Sequence, residues 1–181
     1  MQGYSTRTFA TPSPPLSLSP VSDLIPKAKL DSLLDLLDAE HEDYTALLDV
    51  ETGEAVIMEA WLVTAAKEGG HKMLAKVPEW QIPHAELARV IAADTRGRFI
   101  KGPGKYDFHE YRHMERFIGT VEDEAHAEQL WRAIKGPGAF RHFKDTADRL
   151  DLLDAWFSWR DEAKKKYVTE WAKTHGIELE H

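Results

Sequence analysis

The segment His109-Glu110-Tyr111-Arg112-His113 has the residue types and spacing of a zinc-hydrolase motif. On a continuous helix, imidazoles four residues apart share a face, and the carboxylate between them can activate a metal-bound water. Such a site needs a third protein ligand, and among Glu122, Asp123, Glu124, His126 and Glu128 downstream no single residue stands out. The motif also follows Gly102-Pro103-Gly104, which is poor rigid support for a metal. With nine histidines in the chain, a pair at this spacing arises readily by chance. Solvated imidazoles are therefore the expectation, and a metal-dependent hydrolase using His109, Glu110 and His113 is the alternative.

A second constellation is Gly136-Pro137-Gly138 followed by Arg141, His142 and Lys144. Free backbone N–H groups at a helix start, with cations on its early turns, form an anion receptor. The simpler account is a helix–helix turn with Phe140 and Phe143 packed inward and the cations paired to Asp145 and Asp148. The turn lacks the Lys-Ser/Thr ending of a phosphate loop. Gly138, Arg141, His142 and Lys144 are accordingly the candidate ligand-binding residues, with an anionic ligand or a protein partner in view.

Other chemistries find no foothold. The chain has no cysteine, so thiolate catalysis, disulfides and sulfur-ligated zinc are excluded. It shows no nucleophile elbow, dinucleotide fingerprint or calcium loop, and no motif calls for a cofactor. Ser32 and Ser158 are the serines beyond the N-terminal segment. Its 181 residues, 43% of them apolar, suit one domain. No apolar run approaches the roughly 20 residues that cross a bilayer. A soluble, cytoplasmic protein without membrane contact is expected.

A net charge of −8 argues against a nucleic-acid-coated surface, although the charge is unevenly spread. Residues 30–60 hold ten acidic groups and no Lys or Arg, whereas 96–116 hold six basic and three acidic groups. The segment 132–149 holds five basic and two acidic groups. Such islands are ordinarily solvated surface.

The elements that must position these groups follow from periodicity and breakers. Residues 1–22, rich in Ser and Pro, are read as a flexible tail. A single globular domain is expected over 23–178, and Leu179-Glu180-His181 is read as the remnant of a tag. Leu30, Leu33, Leu34 and Leu37 predict a helix over 27–40 whose outer face is Asp31, Asp35 and Asp38. Two β-like runs joined through Glu51-Thr52-Gly53-Glu54 predict a hairpin. A helix from Pro83 to Asp94 buries Leu87, Val90 and Ile91, and a strand over 98–100 adds to the hairpin edge.

Helices are then predicted over 107–119, with Phe108, Tyr111, Met114 and Ile118 inward, and over 123–135, centred on Leu130 and Trp131. The next spans 138–150 with Phe140, Phe143, Ala147 and Leu150 on one side. The last spans 152–175 and buries a stripe of Trp156, Trp159, Ala163, Tyr167 and Trp171, with Lys164-Lys165-Lys166 as its polar flank. The fold class is α+β, several helices packed on a small antiparallel, hairpin-based sheet.

Four groups of residues give the chain a likeness. They are Leu48-Asp49-x-x-Thr52-Gly53-Glu54; His109-Glu110-Tyr111 with Met114-x-x-Phe117-Ile118; Ile134-Lys135-Gly136-x-Gly138-Ala139-Phe140-Arg141-x-Phe143-Lys144-Asp145; and Trp156-Phe157-x-x-Arg160-Asp161 followed by Trp171. On these, residues 24–178 resemble a widespread bacterial family of uncharacterised proteins. The resemblance implies a shape and a bacterial cytoplasmic setting, without a reaction. The function expected is a non-catalytic binding or regulatory module.

Overall fold

The computed structural model, which describes residues 26–39 and 41–180 and leaves out the His71 side chain, opens with strand β1 (Lys27–Lys29) and helix α1 (Leu30–Ala39). The Ser/Pro-rich segment lies outside the described residues. Helix α1 buries Leu33, Leu36 and Leu37 and turns Asp31, Asp35 and Asp38 outward, as its spacing demands. It starts three residues later than the leucine pattern suggests, because Lys27–Lys29 pair in parallel with β5 (Glu178–Glu180). That long-range pairing outcompetes local helix propensity. It also draws Leu179 and Glu180, set aside in the sequence as a tag remnant, into the folded body.

The hairpin is β2 (Tyr44–Asp49) and β3 (Glu54–Glu59), in antiparallel register with Asp49 opposite Glu54. Its turn needs glycine: Gly53 has φ +74°, and a Cβ there would lie 2.9 Å from the Lys27 carbonyl oxygen. Lys29 N donates to the Gly53 carbonyl at 3.3 Å, tying β1 to the turn. Strand β4 (Phe99–Lys101) pairs with the free edge of β2, giving the order β3-β2-β4. Asp49 holds the corner, accepting hydrogen bonds from Arg98 Nε at 3.0 Å and Nη2 at 2.6 Å. The Leu-Asp-x-x-Thr-Gly-Glu group is thus a structural corner.

Between β3 and β4 lie α2 (Ala60–Lys67), α3 (His71–Leu74) and α4 (Ile82–Ala93). The run Trp61-Leu62-Val63 belongs to α2, which follows β3 without a loop. Helix α4 begins near Pro83 as expected, but its buried residues are Ala85, Ala88 and Ile91, and Val90 faces out. The sheet's other face meets α1 and the second half of α9 (Leu153–Thr174), where Leu48, Leu36, Leu37, Val168 and Ala172 form one core.

Between β4 and β5 the chain is helical: α5 (Lys105–Phe108), α6 (Glu110–Ile118), α7 (Glu124–Ala133), α8 (Ala139–Arg149) and α9. Asp123 caps α7, its side chain accepting from His126 N at 2.8 Å. Phe117, Leu130, Phe143 and Trp156 form a second core, with the Phe143 and Trp156 rings edge to face at 4.9 Å.

Several expected faces are rotated. Trp131, Tyr111 and Phe140 are exposed, although Tyr111 Oη donates to the Ile134 carbonyl at 3.2 Å. On α9 the deepest line is Trp156, Lys164, Val168 and Ala172, one residue around from the expected stripe of rings. The small and aliphatic residues press against α1 while Trp159, Tyr167 and Trp171 flank the contact. Lys164, expected on the polar flank, is buried and pairs with Asp38 at 2.5 Å.

Candidate functional site: two clefts beside helix α6

The expected helix over 107–119 is broken at His109, whose φ of 49° and ψ of 60° put it in the left-handed region between α5 and α6. His109 and His113 therefore do not sit one turn apart on a continuous helix. His113 stacks on Phe108 with ring centroids 4.3 Å apart and planes 14° apart. Burial, aided by the charge of Arg116, pushes its pKa below the ordinary imidazole value, against the pull of Glu110 and a hydrogen bond to the Phe108 backbone. Glu110 pairs with Arg160 of α9 at 2.5 Å. Among the described residues, no three His, Asp or Glu side chains converge as metal ligands.

The second constellation also divides. Gly138 caps α8 in the left-handed conformation, φ +78°, and its carbonyl accepts from the N–H groups of Arg141 and His142 at 3.0 Å each. Arg141 is extended into solvent beside Asp145, and His142 is exposed with its ring over Gly138. Lys144 lines a cavity.

That cavity is a cleft of about 260 Å³ between α6, α8 and α9, lined by Glu110, Met114, Phe140, Lys144, Phe157 and Arg160 over a floor of Phe143 and Trp156. Each residue lies in one of three separate segments singled out in the sequence, the His-Glu-Tyr, Gly-Ala-Phe-Arg and Trp-Phe-x-x-Arg groups. Helical spacing explains the convergence: Phe140 and Lys144 are one turn apart on α8, and Trp156 and Arg160 one turn apart on α9. Two phenylalanines stand at the surface here, Phe140 at 47% and Phe157 at 39% exposure. The buried Arg160 Nε faces Glu110 Oε1 at 2.5 Å, so this cation already has a carboxylate partner in the cleft wall.

On the opposite side of α6 runs a larger groove of about 610 Å³ between α5, α6 and α9. His109 and His113 belong to this groove, so neighbouring residues of one motif serve different clefts. Sequence reasoning missed Phe157, Arg160 and Glu110 as partners of Lys144. The only local signal was that ring and cation recur four apart in both helices, a spacing equally suited to packing.

The fold and these clefts define an α+β protein with a small antiparallel sheet and a helical half that carries both clefts. No family model, curated protein or solved structure matches the chain.

Proposed function

We propose that the chain is a non-catalytic binding module, of bacterial and cytoplasmic setting as its resemblance implies, that captures a partner segment in the α6–α8–α9 cleft. One observation carries this reading: Phe140 and Phe157 are held at the surface around a cleft that Lys144 and the Arg160–Glu110 pair also line. Half-exposed aromatic rings beside cations are the composition of interface anchors. At about 260 Å³ the cleft is smaller than most small-molecule pockets, which run to roughly 300–1,000 Å³, and is suited to one large side chain. The segment it fits carries an apolar or aromatic side chain with a carboxylate next to it, the carboxylate meeting Lys144.

The test is a peptide-display selection on the full chain. Enriched peptides should share a large apolar residue adjacent to Asp or Glu. Their affinity should fall about tenfold or more in Phe157→Ala and in Lys144→Glu, the size expected for one anchor or one charge-assisted contact. Selected peptides that bind both variants as tightly as the wild type, or that lack acidic residues, overturn the reading.

A further inference from the structure

The larger groove lies between two antiparallel walls. Phe108 meets Tyr167 at 5.6 Å between ring centroids and Phe117 meets Trp159 at 6.1 Å, so α6 and α9 run in opposite directions. Between these two contacts the α6 wall carries Arg112 and Arg116, and the α9 wall carries Glu162, Ala163 and Lys166. Trp159, Ala163 and Tyr167 recur four apart on α9, the spacing of a helix face made for burial, yet each is only half-buried. An apolar stripe left partly open in this way is completed by packing a further element against it.

The charges along the two walls say what that element is. Among the described residues, Asp107, Arg112, Arg116 and Lys166 enter no ion pair, and Glu162 has only a surface pair with Lys165 at 2.8 Å on its own helix. Across the open groove of one chain these groups do not reach one another. A second copy turned by 180° about the groove's long axis lays its α6 over α9 of the first and its α9 over α6 of the first. Arg112 and Arg116 of each copy then face Glu162 of the other. Asp107, next to Phe108, faces Lys166, next to Tyr167, because those two rings stand at one level. The other two-fold axis, across the groove, stacks α6 on α6 and sets arginine against arginine, which like charge forbids. Glu170, about one turn past Tyr167, is exposed and needs no partner.

We infer that this groove is an interface between two copies of the chain, a two-fold dimer in which α6 of each copy lies over α9 of the other. The half-buried Trp159, Ala163 and Tyr167 of both copies are covered at its centre. The Arg112/Arg116–Glu162 and Asp107–Lys166 pairs border them, the layout of an apolar core within a polar rim. The interface uses none of Phe140, Lys144 and Phe157, so it does not depend on the partner cleft.

The experiment is sedimentation equilibrium of the full chain from about 1 to about 200 µM, the range in which a specific dimer of micromolar Kd forms. The wild type should dimerise. Arg112→Glu with Arg116→Glu should weaken self-association at least about tenfold, and so should Glu162→Lys, because each sets like charges face to face in both halves of the interface. An equimolar mixture of the two variants should associate as tightly as the wild type, since each reversed wall then meets the other variant's reversed wall. All three residues are exposed, so the thermal midpoints should hold, and recovery in the mixture shows independently that both variants are folded. A wild-type chain that stays monomeric throughout, variants that dimerise as the wild type does, or a mixture that fails to recover overturns the proposal.

Discussion

Replacing Arg98 by Met tests the corner that joins the hairpin to β4. Asp49 has a side chain only 7% exposed, and its carboxylate accepts two hydrogen bonds from Arg98 and one, at 3.1 Å, from Glu51 N. Removing the guanidinium leaves a buried carboxylate with only the Glu51 N–H and the Thr52 hydroxyl beside it. Orphaning one member of a buried pair costs about 3–5 kcal/mol. The Arg98 side chain is 33% exposed and water can fill part of its place, so the expected loss is about 2–3 kcal/mol.

The pH dependence separates this cause from lost packing. Burial is the largest influence on Asp49 and pushes its pKa up. The hydrogen bond and charge of Arg98, with the Glu51 N–H and the Thr52 hydroxyl, together outweigh burial and hold it below the usual carboxylate value. A carboxyl depressed in the folded state contributes stability that is present above its unfolded pKa, about 4, and is lost as pH falls through the folded pKa. In Arg98→Met the hydrogen bonds and charge of the guanidinium are gone while burial remains, so the Asp49 pKa moves up. The variant is then relieved as Asp49 takes up a proton, and its deficit is largest near pH 7 and shrinks toward pH 4. Urea unfolding followed by circular dichroism at both pH values measures it. A deficit below about 0.5 kcal/mol at pH 7, within the range of ordinary surface substitutions, refutes the reasoning. So does a deficit that fails to shrink in acid.

The other predictions concern packing and backbone. Trp156→Ala should cost about 3–5 kcal/mol as the centre of an aromatic core. Phe140→Ala should cost less than about 1 kcal/mol, since only part of its surface is buried; comparable losses in the two variants would mean that Phe140 is a core residue. Gly97→Ala should cost about 1–2 kcal/mol from left-handed strain alone, since a Cβ there meets nothing within 4 Å. Gly53→Ala adds a backbone collision with Lys27 and should lower the thermal midpoint clearly further. Lys164→Met should leave stability within about 1 kcal/mol of wild type or raise it, because an apolar chain of similar length fills the same space without a charge to desolvate. Asp38→Ala, which leaves the buried ammonium without its partner, should be the worse of the pair by urea unfolding.

Local chemistry in the sequence was enough for the elements whose cause is local. Asp49-Val50-Glu51-Thr52-Gly53 announces a turn because Gly53 can adopt φ +74°, and the leucines of α1 repeat at the helical period over an acidic outer face. Asp123 announces the start of α7 because a carboxylate there satisfies a free N–H group. The α+β class followed from these. Tertiary structure decided what depends on partners remote in the chain. Lys27–Lys29 become strand because Glu178–Glu180 arrive beside them, a pairing across the whole described chain that no local pattern encodes. The sequence of α9 allows the rings or the line through Lys164 and Val168 to face inward, and the close approach of α1 selects the second because only small or flexible side chains fit between the helices. The same holds for function. His109-Glu110-x-x-His113 reads as one site while the helix is assumed continuous, but the left-handed turn at His109 and the ion pair of Glu110 with Arg160 send its members to opposite sides of α6. Lys144 gains Phe157 and Arg160 as neighbours only when α8 and α9 pack around Phe143 and Trp156.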